Sequence, residues 1–540
     1  MKLVTSTLLA ISVASVGACV DEADLYDGET VKSDDDKSDS SALAVFVDAE
    51  WNGTLVTDSS WNDPSTIQSQ LFYTIGQLNG MNSVGRIDKA VISNIVKTTV
   101  GGRTQIKYKA KLLVAWGNRS NVPASIELKS PLDVSSAGQT DFATKYSHSC
   151  VDAAAHDVDS GSMFYYYRPK ASGCTSAPAD VNTVTATLSP SPVQTTGKFP
   201  EYTKVWEDGV LNVVAVFGKY EDSGMTGSDA GIAAYNAFVR DAQNELRQFA
   251  MTTVPATVPT APGVGTPDVT IDATLPDGRK VHVTALLTNQ IRNTDAAFDA
   301  RYAAVTPNAD FLSYNGHSGL GANIRALTRK GSWRKDQYTL AFINGCDTYA
   351  YVDSSLAQAR AMLNPGDTTG TKHLDIATNA MPSFFHSNSR NNITFIRSLM
   401  NIAQPMTYEQ IFKLIDKSQV IVVSGEEDNV FVPGGGGGGN GETNWAGLTQ
   451  QGTVTKNQEV KLSTPKLAPG TYKFTMTGTS DADLYVRVGT EPTAQLFDCR
   501  PFLAGSNETC NVSLNTAAPI HVMVRGWNAS STFKLVGAKN

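Results

Sequence analysis

Two residues in the middle of the chain pair reactive side chains with equivalent surroundings. His317 follows the run Tyr314-Asn315-Gly316, and Cys346 follows Ile343-Asn344-Gly345. Each run reads as the end of a buried strand, with one helical stretch between them. In open parallel sheets, chemistry collects beyond the carboxyl ends of the strands, where loops from neighbouring strands meet. A single right-handed crossover makes such strands neighbours and lets an imidazole and a thiol face each other across the sheet top. A thiolate beside an imidazolium is a strong nucleophile at neutral pH, and the histidine can later protonate a leaving amine. Backbone N–H groups of Ser318 or Gly319, and of Cys346 itself, are placed to stabilise an oxyanion. Taken singly, a strand-end His is a satisfied polar group and a Cys in a parallel strand is a small core residue. Their matched placement favours the dyad.

The six cysteines support the same choice. Cys150 with Cys174, and Cys499 with Cys510, each close a short loop compatible with a local disulfide. Cys19 belongs to a targeting segment, which sets Cys346 apart as the residue to examine. A serine nucleophile is the enzymatic rival, because Gly316-His317-Ser318-Gly319-Leu320-Gly321 lies between a strand and a helix as a nucleophile elbow does. The elbow needs glycine two residues after the serine, where this chain has Leu320; His373 or His386 would then be the base. His148 and His156, near Asp157 and Asp159, are eight residues apart, which matches no strong metal-ligand pattern. No metal and no cofactor is expected.

The elements that must hold these residues fall into three regions. Residues 43–200 read as a β-rich domain, with Gln105 to Trp116 alternating at period two and Gly101-Gly102 turning it back from a strand over Val91 to Thr99. From 201 to 428, strands and helices alternate, which argues for a mainly parallel sheet covered by helices on both faces. Val210 to Gly218 is a nearly continuous apolar run, as a strand buried on both sides requires. Ser228 is expected to cap the helix after it, and Thr294 the next. Strands follow at Asp310 to Asn315, Tyr338 to Asn344 and Leu374 to Thr378. Helices are expected over Ala322 to Lys330, Ser354 to Leu363, Asn391 to Ile402 and Tyr408 to Ile415. The glycines Gly434 to Gly439 mark a linker within 429–444, and short alternating strands over 445–540 form a small β-sandwich.

The order strand, His, helix, strand, Cys resembles the caspase-like clan CD cysteine peptidases over roughly residues 205 to 428. The resemblance implies a three-layer α/β domain with His317 on the family's histidine and Cys346 on its nucleophile. The family's glycine directly after the histidine is Ser318 here, with glycine delayed to Gly319. Asp347, Asp353 and Asp375 are candidates for a substrate-pocket residue. The last region resembles the bacterial pre-peptidase C-terminal domain, through Gly470-Thr471-Tyr472, Asp481 to Arg487, Asp498 to Pro501, Asn507 to Cys510 and Val524 to Trp527. That resemblance implies a non-catalytic accessory role in secretion, solubility or substrate binding. Calcium at Asp481 and Asp483 is the weaker reading against solvated carboxylates.

Composition narrows the remaining classes. Over 540 residues, 18% are charged and 41% hydrophobic, with a net charge of −8, so the chain is globular and lacks the basic footprint of a nucleic-acid binder. Lys2, the apolar run Leu3 to Val16 and the small residues before Cys19 resemble a bacterial lipoprotein signal over 1–19, followed by an acidic linker over 20–42. These readings converge on an exported, lipid-anchored protein of the cell envelope, with ordinary secretion as the rival, and with multidomain α/β plus β architecture. Its expected activity is peptide-bond hydrolysis on a protein or peptide substrate. The alternative is a catalytically silent surface lipoprotein that binds a protein or matrix partner.

Overall fold

The computed structural model describes residues 44–59, 63–118, 120–153, 155, 158–192, 197–415, 419–433, 445, 447–465, 467, 469–514 and 518–539. The expected lipidation site Cys19, the acidic linker, His156, Asp157 and the six-glycine run lie outside these residues. The chain divides into two compact units, one reaching Asn429 and the other from Val430 onward.

The first unit opens with six strands: β1 (Val45–Thr57), β2 (Ser83–Gly85), β3 (Val91–Val100), β4 (Arg103–Trp116), β5 (Ser125–Pro131) and β6 (Val181–Pro190). They form one antiparallel sheet in the order β2-β4-β1-β6-β5, with β3 also on β4. The alternation of β4 decides its inner face: Ile106, Tyr108, Ala110, Leu112 and Val114 are buried, while the lysines between them reach outward to Glu50 and Asp48. The Cys150–Cys174 disulfide ties down the segment after the helix Ser136–Tyr146.

The second sheet of this unit has eight strands: β7 (Val210–Gly218), β8 (Ala250–Val254), β9 (Asp268–Thr274), β10 (Lys280–Thr288), β11 (Phe311–Asn315), β12 (Thr339–Asn344), β13 (Leu374–Asn379) and β14 (Ile421–Ser424). Their order is β14-β13-β12-β11-β7-β10-β9-β8. The five from β10 to β13 are parallel, and both margins are antiparallel. Phe217 packs on Tyr235 and Phe238 of the helix Ala230–Leu246, while Phe311 and Phe342 pack on Phe395 of the helix Asn388–Met400. The opposite face, with Val214, Val216, Leu312 and Ile343, shares one hydrophobic cluster with Phe298, Ile324 and Leu327 and with Val47, Leu112 and Trp116 of the first sheet. The front sheet and the α/β sheet thus share a core.

Two helix starts differ by one residue from the sequence expectation. Asp229, not Ser228, accepts from Ile232 N, and Asp295, not Thr294, accepts from Phe298 N. In each case a carboxylate sits next to the hydroxyl and is the stronger acceptor for the first-turn amides. The strand β8 was missed because Val254 precedes a Pro-rich stretch and its outer residues are exposed.

The second unit holds β15 (Leu448–Val454), β16 (Glu459–Ser463), β17 (Gly470–Thr479), β18 (Ala482–Val488), β19 (Glu508–Leu514), β20 (Ile520–Gly526) and β21 (Ser531–Lys539). They form a four-stranded sheet, β15-β21-β17-β19, and a three-stranded sheet, β16-β20-β18. Phe474, Leu484, Val522 and Leu535 are among the residues buried in its core, and Cys499 bonds to Cys510.

Candidate active site

Strands β11 and β12 pair in parallel with Asn315 opposite Asn344, so the residues that follow each strand leave from the same rim of the sheet. Three adjacent strands end in asparagine: Asn315, Asn344 and Asn379. Their amides form a buried ladder. Asn344 Nδ2 donates to Asn315 Oδ1 at 3.0 Å, and Asn379 Nδ2 donates to Asn344 Oδ1 at 2.8 Å. Asn388 and Asn392, from the helix behind, extend it through Asn344 and Asn315 at 2.9 and 2.7 Å. Ser383 Oγ also donates to Asn344 Oδ1, at 2.9 Å. Leaving a buried amide unmatched costs about 1–3 kcal/mol, so the ladder fixes the strand ends relative to one another.

Above the ladder, the backbones close tightly. A Cβ at Gly345 would stand 2.7 Å from Gly316 O and 3.3 Å from Ser318 N. Only glycine lets the two strand-end turns approach this closely. The structure therefore brings the turn that carries His317 and Ser318 against the turn that carries Cys346.

His317 is almost fully buried, at 1% exposure, between the rings of Tyr220 and Phe385. Its Nε2 lies 3.0 Å from the Tyr220 carbonyl oxygen. A carbonyl only accepts, so Nε2 carries the proton and Nδ1 keeps its lone pair. Nδ1 is buried without a hydrogen-bond partner among the described residues. Burial lowers the His317 pKa to about 4, with the Tyr220 contact opposing the shift. The ring is neutral at pH 7, which corrects the expectation of a resting imidazolium: desolvation outweighs Asp222 and Asp229, the acidic groups that favour the charged form.

Cys346 is fully buried, and its Sγ lies 3.6 Å from the Ser383 carbonyl oxygen. The sulfur is disulfide-bonded, as are the other described cysteines. Thiol chemistry at this position therefore requires reduction. The expected meeting place of imidazole and thiol across the sheet top is a covered site, with Tyr220 and Phe385 against His317 and the Ser383 carbonyl against Cys346.

The remaining sequence candidates separate. Ser318 is buried with its Oγ unmatched among the described residues, and Gly319 adopts φ +56°. Leu320 takes φ 50°, ψ 40°, a left-handed conformation that is costly for a leucine. His373 precedes β13, at the amino end of the sheet, so it cannot serve Ser318 from the opposite rim. His386 is exposed and packs on Phe384. Of the three aspartates considered for a substrate pocket, Asp347 is sealed against Asn79 and Asp353 accepts from Ser355 N. Asp375 lies beneath the amino end of β13, bonded to Tyr338, Tyr408 and Asn429. A cavity of about 320 Å³ opens beside the carboxyl ends of β7 and β10, with Lys219, Leu286, Asn289, Phe298 and Arg301 among its walls.

Sequence reasoning missed Tyr220 and the asparagine ladder. The repeated Asn-Gly at 315–316 and 344–345 carried a signal for the ladder; Tyr220, an acceptor through its backbone, carried none.

In the second unit, Asp483 is buried and paired with Arg500 at 2.9 Å. Asp481 Oδ1 accepts from Gly505 N. The solvated reading of Asp483 is thereby corrected, since Arg500 neutralises it. Among the described residues, no group of three His, Cys, Asp or Glu side chains is arranged to hold a metal ion.

Residues 451–526 match the family model of the bacterial pre-peptidase C-terminal domain. A stretch of 51 residues is 51% identical to alkaline serine exoprotease A of Vibrio alginolyticus, covering 9% of this chain and 10% of that protein. A match of the same length is 47% identical to a zinc metalloprotease of Helicobacter pylori, covering 9% of this chain and 20% of that protein. The matched stretch thus spans a tenth to a fifth of these relatives. The solution structure of vEP C-ter 100 is 32% identical, covering 19% of this chain and 98% of that one, with a TM-score of 0.15. No helix among the described residues is long and apolar enough to cross a membrane.

Proposed function

We propose that the protein is an exported cysteine peptidase with a caspase-like α/β domain, in which Cys346, once reduced, attacks a peptide carbonyl and His317 moves the proton. The observation that carries this reading is the state of His317. Its tautomer is fixed by Tyr220, its Nδ1 lone pair is unmatched among the described residues, and it leaves a strand paired in register with the one that leads to Cys346. A neutral imidazole is the form that takes a proton from a thiol. The amide of Ser318, beside Gly345, is the candidate oxyanion donor. The likeness of residues 451–526 to a module found in secreted peptidases supports a protein or peptide substrate and export; it does not choose the chemistry, because the matched relatives are named for serine and for zinc. Lipid anchoring through Cys19 is part of the same proposal.

Hydrolysis of dye-labelled casein by the reduced full chain tests it. Cys346→Ala should lose about a thousandfold or more of the activity, and wild-type protein kept oxidised should match the variant. Ser318→Ala should retain activity. Full activity in Cys346→Ala would reject the reading. The burial of both residues and the disulfide at Cys346 favour a second reading, a catalytically silent surface protein; absence of hydrolysis in the reduced wild type would select it.

A further inference from the structure

The residue after the candidate nucleophile is held by the front sheet's side of the unit. Asp347 is fully buried and left-handed, with φ 49° and ψ 32°. That conformation turns the chain out of β12 and into the single helical turn Thr348–Tyr351. A non-glycine residue there persists only when its surroundings over-determine it. One determinant comes from far away in sequence: Asn79 Nδ2 donates to Asp347 Oδ1 at 2.5 Å, beside a Tyr165 contact to the same carboxyl and backbone bonds to Met381 and Ala350. Asn79 is in turn aimed by Arg168, whose Nη2 donates to Asn79 Oδ1 at 3.0 Å and whose Nη1 donates to Gly76 O at 2.6 Å. A Cβ at Gly76 would stand 2.7 Å from the carbonyls of Phe164, Tyr165 and Tyr167, so glycine is what lets the helix Tyr73–Asn79 dock on the Arg168 segment. The same turn is gripped beyond Asp347, where the Arg86 guanidinium lies 5.4 Å from the centre of the Tyr349 ring.

We propose that Asn79 is a positioning residue for the nucleophile: through Asp347 it sets the turn that orients Cys346, so the front region is a working part of the candidate active site. This rests on the cysteine-peptidase reading. The relay runs Arg168 to Asn79 to Asp347, and the backbone of Asp347 carries its effect to the adjoining Cys346. Removing the Asn79 amide takes from the buried Asp347 carboxyl one of its two side-chain donors, the other being Tyr165, and loosens the left-handed turn. A displacement of the nucleophile by a fraction of an ångström to 1 Å costs up to about a hundredfold in rate.

The test is casein hydrolysis by the reduced full chain carrying Asn79→Ala, or the reciprocal pair Asn79→Asp with Asp347→Asn. The pair restores one hydrogen bond with its polarity exchanged, and it still gives Arg168 an acceptor. Expected for Asn79→Ala is a kcat about 10- to 100-fold lower, with KM within about twofold, and recovery of most of kcat in the reciprocal pair. Wild-type kcat in Asn79→Ala overturns the proposal. So does a loss shared equally between kcat and KM, or a reciprocal pair no better than Asn79→Ala. Should Asn79→Ala fail to fold, the reciprocal pair decides alone: kcat near wild type supports the relay, and a folded pair with kcat still down a hundredfold rejects it. Cys346→Ala separates the two ideas. If that variant keeps full activity, the cysteine reading fails; if it is inactive while Asn79→Ala is not, only the positioning role fails.

Discussion

The two ends of the parallel sheet bury polar groups in different ways. At the amino end, Asp310 and Asp375 are carboxyls surrounded by donors: Asn212 and Gln337 serve Asp310, while Tyr338, Tyr408 and Asn429 converge on one oxygen of Asp375. Burial raises their pKa values to about 8 and about 7. At the carboxyl end, the strand-end asparagines bond to one another, but His317 Nδ1, Ser318 Oγ and Asn379 Oδ1 are unmatched among the described residues, and Leu320 and Asp347 are left-handed. The first end uses buried polarity to fix packing. Unmatched atoms occur at both ends, with Asp375 Oδ1 and His373 Nδ1 at the first among the described residues, but those of the second stand beside a histidine and a cysteine, where a reaction would use them.

Breaking the carboxyl end should have the larger effects. His317→Gln should reduce hydrolysis about a thousandfold or more in a casein assay while leaving the fold intact by circular dichroism. Asn344→Leu should be the most destabilising single change in the ladder, lowering unfolding free energy in urea by about 2–4 kcal/mol, because Asn315, Asn379 and Asn388 each lose a partner. It should also lower activity, since Gly345 and Cys346 follow directly.

The pH dependence of stability separates His317 from the buried carboxyls, Asp375 at the amino end and Asp347 at the carboxyl end, because the imidazole and the carboxyls respond with opposite sign. The folded pKa of His317, about 4, lies below its ordinary 6.5. Between those values the unfolded chain binds a proton that the folded chain does not, so this term is present above pH 6.5 and is lost as pH falls toward 4. Asp375 is raised from 3.8 to about 7. Its contribution is complete below pH 3.8 and is lost as pH rises through 7. In pH-dependent urea unfolding, Asp375→Asn should remove about one proton from the slope between pH 4 and 7, and His317→Gln should remove about one of opposite sign between pH 6.5 and 4. Identical slopes in wild type and both variants would erase the distinction. Smallest of all, Arg397→Ala should change stability by under about 1 kcal/mol, because its pair with Glu245 is solvent-exposed on the arginine side.

Much of the framework was legible in the sequence. Period-two burial in β4, the apolar run of β7 and the strand–helix alternation to β13 each impose a buried face that a single chain can satisfy in few ways. The strand-end placement of His317 and Cys346 followed from that alternation alone. What escaped depends on contacts between distant segments. The Tyr220 carbonyl reaches His317 across 97 residues and Asn79 reaches Asp347 across 268, and no local pattern marks either. Burial of the site escaped as well, since Ser383 and Phe385 reach Cys346 and His317 from a distant stretch of the chain. The choice of Asp229 and Asp295 as helix caps shows a local limit: with Ser-Asp or Thr-Asp adjacent, the pattern fixes the helix start only to within one residue.

The most direct measurement is mass-spectrometric mapping of the adduct formed when the reduced full chain meets a peptidyl acyloxymethyl ketone, which alkylates an activated thiol. Expected is one adduct, on the peptide carrying Cys346, formed at a rate that drops at least about tenfold in His317→Gln. No adduct at Cys346, or the same rate with and without the histidine, would contradict it.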